Sequence, residues 1–231
     1  MGSEANQGFL VLGSDEWIGR IVISYLKNLG EDYFIFHPTT MDRNSIQESI
    51  EYYRPAYLLN CRGTDLTLFP ENNKENQKLC DEFSLLAKVC QDKKVHLTQL
   101  YIDCSKEDLP DIMQKELTET SLVLRFSFPL HYDLSSENFL SHLQVSDKEK
   151  NYPVSILPDV IPKCLQMIKD EICGDFSLSH PEKISVQKIS QIYHEVANRK
   201  EISNLSPIEK SLSKIFRLHL IELERNQLLE M

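Results

Sequence analysis

The 231-residue chain carries 25 lysines and arginines against 35 acidic residues, a formal net charge of −10 at pH 7. No segment clusters its cations, which argues against a nucleic-acid or anionic-membrane binder, since such proteins displace counterions with grouped Lys and Arg. The chain is long enough to bury a substantial core, and no apolar run in it is long enough to span a bilayer. We therefore expect a globular protein that binds neither nucleic acid nor membrane.

The six cysteines are spread along the chain without the paired spacing of a zinc site or a disulfide framework: Cys61, Cys80, Cys90, Cys104, Cys164 and Cys173. Scattered thiols are typical of proteins from a reducing compartment. The histidines also lack acidic companions at ligand spacing. The sequence therefore predicts reduced cysteines, no metal site and a cytoplasmic location.

Strand-like and helix-like segments alternate over the first 130 residues. The apolar run Phe9–Leu12 predicts a strand, and apolar residues at helical spacing over Trp17–Leu29, closed by Gly30, predict a helix. Further strands are predicted at Tyr33–Phe36 and at residues 56–61, 95–100 and 122–126, and helices at residues 45–53, with a Ser45 capping box, and 75–91. This alternation is typical of an α/β protein with a Rossmann-like, doubly wound parallel sheet.

Beyond Pro129 the pattern becomes helix-rich. Helices are predicted at residues 135–143, 157–169 and 185–198, with a short strand at 175–178, and we interpret residues 131–200 as a small C-terminal lobe. Residues 201–231 are predicted to form an amphipathic helix that begins with the capping box Ser206-Pro207-Ile208-Glu209. Its apolar stripe, which includes Ile208, Leu212, Ile215 and Phe216, either packs on its own domain, the simpler interpretation, or binds another chain.

The turn after the first strand reads Gly13-Ser14-Asp15-Glu16-Trp17-Ile18-Gly19. In a dinucleotide-binding turn the first glycine allows the tight turn, the second lets the pyrophosphate approach and the third lets the helix pack on the strand. Gly13 and Gly19 hold the first and third positions, whereas Glu16 holds the second. Its carboxylate places a negative charge where the helix N-terminus would bind an anion. The turn therefore predicts a preserved scaffold with a damaged ligand site.

Six segments, taken in their order, are similar to those of a known family: GSDEWIG, YYRPAYLLNCRG, LVLRFSFP, the helix start at Ser136-Glu137-Asn138-Phe139, SILPDVIPKCLQMI and SLSHPEKISVQKISQIYHEV. They resemble the dTDP-4-dehydrorhamnose reductase group of the extended short-chain dehydrogenase/reductase superfamily, and especially the epimerase/reductases that make UDP-rhamnose. They extend over nearly the whole chain up to Asn198. The resemblance implies a degenerate NAD(P)-binding domain at residues 1–130, followed by the remnant of a substrate lobe at residues 131–200.

The resemblance also implies a reaction, hydride transfer from NADPH to a 4-keto sugar nucleotide, helped by a Ser or Thr, a Tyr and a Lys four residues after that Tyr. None of the nine tyrosines is followed by lysine at that offset. Ile102 stands where the family has its Ser or Thr, and the segment from Asp103 to Ser121 is too short for the family's active-site loop and helix. We therefore predict no catalytic residue in this chain.

The resemblance places the cofactor contacts at vestigial positions: Gly13, Ser14, Glu16, Trp17, Ile18, Gly19, Asp42, Cys61 and Arg62. Cys61 and Arg62 replace the small residues of the family's Asn-Ala-Ala-Gly motif, and no arginine for a 2′-phosphate follows the second strand. Asp42 stands at the adenine-edge position, although it could equally cap the next helix. Arg62 is a candidate ion-pair partner of Glu16. We expect no bound cofactor, or NADP(H) if the site still works.

Asn138 is the candidate contact to a sugar nucleotide, or simply the start of a helix. Three functions remain open at this point. The chain is a non-catalytic, reductase-like structural or regulatory subunit that binds a protein partner or a second copy of itself. Alternatively it is an NADP-dependent 4-keto-6-deoxy-sugar nucleotide reductase or epimerase with an atypical active site. In a third interpretation it is a sensor that holds a sugar nucleotide without reducing it.

Overall fold

The computed structural model describes residues 8–62, 73–102, 111–117, 119–132, 151–198 and 205–229. In chain order the elements are β1 (Phe9–Leu12), α1 (Trp17–Leu29), β2 (Tyr33–Phe36), α2 (Arg43–Tyr53), β3 (Tyr57–Asn60), α3 (Asn73–Lys93), β4 (His96–Ile102), α4 (Asp111–Glu116), β5 (Ser121–Phe126), β6 (Pro129–Leu130), β7 (Asn151–Tyr152), β8 (Ser155–Ile156), α5 (Leu157–Lys169), β9 (Gly174–Ser177), β10 (Ile184–Ser185), α6 (Val186–Ala197) and α7 (Pro207–Leu229). None of the helices in these ranges is long and apolar enough to cross a bilayer.

The chain divides into two compact units. Unit 1 contains Met1–Phe126 and Ile161–Ser177, and unit 2 contains Ser127–Val160 and Leu178–Met231. Unit 1 holds a six-stranded parallel sheet in the order β2-β1-β3-β4-β5-β9. This architecture confirms the predicted Rossmann-like fold. All four residues of β1 are buried, as expected for a central strand of a parallel sheet covered on both faces.

The sixth strand of the sheet corrects one sequence-based expectation. We placed the strand near residues 175–178 in the C-terminal lobe, but β9 pairs with β5 along the edge of the main sheet. The Arg125 guanidinium, on β5, donates from Nε to Asp175 Oδ1 on β9 at 2.8 Å. A four-residue strand carries no local signal of its pairing partner, and for that reason periodicity located the strand but not its sheet.

The ends of the first two helices follow from their capping residues. α1 ends at Gly30, which has the left-handed conformation (φ 69°) typical of a helix C-terminus. The predicted start of α2 at Ser45 is wrong, because the helix begins at Arg43. The Asp42 carboxylate caps it by accepting the backbone N–H of Ser45 at 2.9 Å. The capping role that we considered for Asp42 is therefore confirmed.

In unit 2 the terminal helix α7 packs on α6. The predicted capping box is present: the backbone N–H of Ser206 donates to Glu209 Oε2 at 2.8 Å, and the N–H of Glu209 approaches Ser206 Oγ at 3.5 Å. Phe216 of α7 makes an edge-on contact with Tyr193 of α6, with ring centroids 5.3 Å apart. This arrangement confirms the simpler interpretation, in which the helix packs on its own chain.

The same packing corrects the alternative for the apolar stripe of α7. Its four candidate partner-binding residues are at most 3% exposed: Ile208, Leu212, Ile215 and Phe216. Side chains this deeply buried leave no open surface for a second chain. The stripe therefore stabilises unit 2 from within, and it is not a docking face in this structure.

Glu209 links the start of α7 to α6 and makes stability depend on pH. The backbone N–H of Ser206 and the Lys188 ammonium, 2.9 Å from Glu209 Oε1, hold the pKa of Glu209 below its ordinary value of 4.5. A lowered folded-state pKa means that the stabilising effect is present above the unfolded pKa and is lost as pH falls through the folded pKa. We therefore expect Glu209→Gln to destabilise the protein near neutral pH and to flatten the loss of stability below the ordinary glutamate pKa.

Urea unfolding followed by circular dichroism across this pH range measures the effect. Glu195→Gln is the control, because the Glu195 carboxylate hydrogen-bonds to Gln191 on the same helix rather than joining α6 to α7. Parallel pH profiles for the Glu209→Gln variant and the unsubstituted chain would show that Glu209 does not contribute in this way.

Candidate functional site

The carboxyl ends of β1 and β3 lie side by side in unit 1, at the point where the strand order changes direction. β2 lies on one side of β1 and β3 on the other, and the backbone N–H of Cys61 donates to the carbonyl of Leu12 at 2.8 Å. Ligands of open α/β sheets bind in the crevice at such a topological switch point. The turn after β1 and the Cys61-Arg62 pair after β3 therefore define the candidate site, which we call the switch-point crevice.

Gly13 and Gly19 bring the turn and α1 into close contact. Gly13 has a φ of 73°, and a Cβ built on it would lie 2.7 Å from Arg62 N and 2.8 Å from Arg62 Cγ. A Cβ on Gly19 would lie 2.0 Å from the carbonyl oxygen of Gly13. These approaches are too short for any side chain. The tight turn and the close packing of helix on strand, predicted for the first and third glycines, are thus both present.

Glu16 stands at the N-cap of α1, the position that faces an anionic ligand in dinucleotide-binding turns. Its backbone is extended (φ −73°, ψ 157°), and within the described residues its side chain makes no capping hydrogen bond to the helix. The carboxylate is half-buried, whereas the next two side chains, Trp17 and Ile18, are fully buried. Trp17 therefore packs in the core, and Glu16 makes the charge at this helix end negative.

Two polar contacts lie where the second strand meets this turn. His37 is the first residue after β2, and its Nε2 lies 3.2 Å from Ser14 Oγ. Asp42, farther along, is bonded to the Ser45 N–H and the Thr40 hydroxyl, which together lower the pKa of its carboxyl. His37 was not among our candidates, since a single histidine after a strand has no distinguishing pattern. Its contact with Ser14 ties the turn to β2.

Cys61 is fully buried beneath the crevice. Burial raises the pKa of its thiol, and the negative charge of Glu16 and the neighbouring Cys164 raise it further. A thiol in this state is protonated and a poor nucleophile at neutral pH. In the described ranges Cys61, Cys80, Cys90, Cys164 and Cys173 form no disulfide, and no three His, Cys, Asp or Glu side chains are grouped to hold a metal.

Arg62 directs its guanidinium towards α3, where Nη2 lies 3.4 Å from Glu82 Oε1. We had considered Glu16 as its partner, and that pair stays a prediction beside the observed contact with Glu82. Two buried amides hold the Arg62 backbone: its N–H donates to Asn60 Oδ1 at 3.1 Å, and its carbonyl lies 3.4 Å from Gln99 Nε2. Sequence reasoning missed both Glu82 and Gln99. Asn60 and Gln99 are partners in the register of β3 against β4, which the sequence does not reveal.

The remaining sequence-predicted positions are Ile102, Asn138 and the four residues of α7. Ile102 ends β4 and is completely buried, an aliphatic side chain at the position where the family resemblance places a hydroxyl. Asn138 falls in residues 133–150, outside the described residues, as do residues 103–110 after β4. The four α7 residues belong to unit 2.

Comparison with known proteins finds relatives of this chain and of its fold. No protein-family model matches the chain. A bifunctional dTDP-4-dehydrorhamnose 3,5-epimerase/dTDP-4-dehydrorhamnose reductase of Arabidopsis thaliana is 22% identical over 84% of this chain and 76% of its own length. The chain is thus similar in sequence to dTDP-4-dehydrorhamnose reductases. This confirms the resemblance inferred from the sequence motifs.

Solved structures share the fold of this chain. The UDP-rhamnose synthase of Acanthamoeba polyphaga mimivirus matches with a TM-score of 0.70 at 17% identity, over 87% of this chain and 83% of that one. The dTDP-4-dehydrorhamnose reductase of Bacillus anthracis, solved in complex with NADP, matches with a TM-score of 0.66 at 14% identity, over 93% and 99% of the two chains. At these identities the structures establish the fold alone, which this chain has in common with them.

Proposed function

We propose that this chain is a non-catalytic nucleotide-sugar reductase-like protein that acts as a structural or regulatory subunit and binds another protein. The observation that carries the proposal is Glu16 at the N-cap of α1. A helix N-terminus attracts a diphosphate through its exposed N–H groups and its positive dipole end. The Glu16 carboxylate supplies that negative charge from within the chain and repels a diphosphate.

The rest of the crevice supports the same proposal. A dinucleotide does not fit the residues present, because Arg62 stands where the resembling family has a small residue, and its Cγ packs against Gly13 of the turn. The chain contains no Tyr with a Lys four residues later, and the position expected to hold a catalytic hydroxyl is the buried Ile102.

Titration with NADPH tests the proposal. We expect no saturable change in nicotinamide fluorescence or melting temperature, and no NADPH oxidation in the presence of dTDP- or UDP-4-keto-6-deoxy sugars. The reductase of Bacillus anthracis, which was solved with NADP, is the positive control. Binding at about micromolar concentration, corresponding to about −8 kcal/mol, together with turnover would overturn the proposal in favour of a reductase or epimerase.

Two further measurements separate the remaining interpretations. Saturable binding of a UDP-sugar without NADPH oxidation would favour the sugar-nucleotide sensor. Purification from native material, with the co-purifying chains identified, tests the subunit role, since a protein recovered alone and monomeric would contradict it. The relatives' names place them among rhamnose-forming reductases and epimerases, and their activity is the alternative that these experiments address.

A further inference from the structure

The base of the Arg62 side chain is fixed by a buried amide network. Asn60 Nδ2 donates to Gln99 Oε1 at 2.6 Å, and Gln99 Nε2 also donates to the carbonyl of Leu100 at 2.7 Å. The same two side chains hold the N–H and the carbonyl of Arg62. Asn60 and Gln99 are almost completely buried, so water does not compete for these bonds. The backbone of Arg62 therefore has little freedom to turn away from the crevice.

The Arg62 side chain leaves this base across the first glycine of the turn. Its Cγ lies 2.8 Å from the point where a Cβ of Gly13 would stand, and its guanidinium reaches Glu82 on α3. Arg62 follows β3 directly, so the first part of its side chain lies at the switch-point crevice, where an open α/β sheet receives its ligand. The space next to Gly13 is thus taken by a side chain of the protein itself.

Glu82 is a buried carboxylate with the Arg62 guanidinium as its counter-ion. The residue is 7% exposed, and among the described residues Oε2 accepts no hydrogen bond. A buried carboxylate that loses its counter-ion is strongly destabilising, so the charge of Arg62 is committed to Glu82. A phosphate that enters the crevice must compete with this carboxylate for the guanidinium and also overcome the charge of Glu16.

We infer that the ion pair of Arg62 and Glu82, which we call the lock, holds the Arg62 side chain in the switch-point crevice and thereby excludes dinucleotides. This inference rests on the proposed non-catalytic function. It gives the reason that a dinucleotide does not bind at the Gly13 side of the crevice. Glu16 repels the diphosphate by charge, whereas Arg62 fills the space beside the turn. Removing the charge of Glu16 alone therefore leaves the crevice closed.

Binding of NADPH and of ADP-ribose to three proteins tests the lock: Glu16→Gly, Glu16→Gly with Glu82→Gln, and Glu16→Gly with Arg62→Ala and Glu82→Gln. The first keeps the lock without the repelling carboxylate, the second frees the guanidinium while keeping its volume, and the third removes the side chain without leaving a buried charge. A matched control replaces Arg125 and Asp175, an ion pair of the same sheet, with Ala and Asn in the Glu16→Gly background. Melting temperatures show which variants are folded.

We expect both lock variants to bind NADPH at least about tenfold more tightly than Glu16→Gly alone, a difference of about 1.4 kcal/mol. The Arg125 and Asp175 control should bind no better than Glu16→Gly. An NADPH affinity that is unchanged in every folded lock variant overturns the inference. Weaker NADPH binding after loss of Arg62 also overturns it, since Arg62 would then bind the ligand rather than occupy its space. Turnover of NADPH by the unsubstituted chain overturns the proposed function instead, whatever the lock variants bind.

Discussion

Gly19→Ala is expected to destabilise unit 1 by about 3 kcal/mol or more, within the upper range for overpacking a close contact. The new Cβ would lie 2.0 Å from the carbonyl oxygen of Gly13 and 2.9 Å from its carbonyl carbon. Both atoms belong to the backbone of the turn, which cannot rotate away as a flexible side chain could. Helix propensity alone favours alanine over glycine by about 1 kcal/mol, so the sign of the change is itself informative.

Urea unfolding of the variant measures this loss against Gly30→Ala. Gly30 also has a positive φ, of 69°, but nothing lies within 4 Å of a Cβ built there. Alanine at Gly30 is therefore expected to lower the free energy of unfolding only by the cost of the left-handed backbone, about 1 kcal/mol. Equal effects at the two glycines would show that α1 does not approach the turn as closely as the structure indicates.

Phe216→Ala is expected to destabilise unit 2 by about 3–5 kcal/mol, the usual range for removing a buried phenyl ring from a core. The Phe216 ring is completely buried, and it meets Tyr193 edge-on at a centroid distance of 5.3 Å. Alanine removes both the buried apolar surface and this aromatic contact, and it leaves a cavity between α6 and α7. The terminal helix should then separate from α6 at a lower denaturant concentration.

Ile221→Ala is the matched control for Phe216→Ala on the same helix. The Ile221 side chain is 59% exposed, and a substitution at such a position changes stability by about 0.5 kcal/mol or less. Hydrogen exchange of α7 amides, measured with urea unfolding, follows the helix directly. Similar small effects for both variants would contradict the packing of α7 on α6 and would reopen the possibility that its apolar stripe serves another chain.

Local signals in the sequence predicted the elements that define the candidate site. The boundaries of β1, α1 and β2 agree with the structure, because an apolar run, a helical stripe and Gly30 each act over a few residues. The capping box of α7 is equally local, since Ser206 and Glu209 lie three residues apart. The alternation of these strands and helices along the chain predicted the parallel sheet, and the family motifs agreed with that order.

Contacts between distant residues could not be predicted in the same way. Glu82 lies 20 positions beyond Arg62 on a helix whose stripe marks the buried face but not the cation it meets. Gln99 and Asn60 carry ordinary strand spacing, and their hydrogen bond follows from the register of β3 against β4. The misplaced start of α2 has a different cause, since Asp42 and Ser45 are both good N-cap residues and only the backbone conformation decides between them.

The position of β9 limits where the chain can be cut. This strand returns to the main sheet after the polypeptide has passed through residues 127–160 of unit 2, so unit 1 is built from two separate stretches of sequence. A fragment that ends near residue 130 retains five strands but leaves β5 as an uncovered edge. Four of the first five residues of β5 are buried and apolar or small. An exposed edge strand of this composition tends to pair with strands of other chains and to aggregate. Solubility of the Rossmann-like part therefore depends on sequence far beyond its apparent C-terminal boundary.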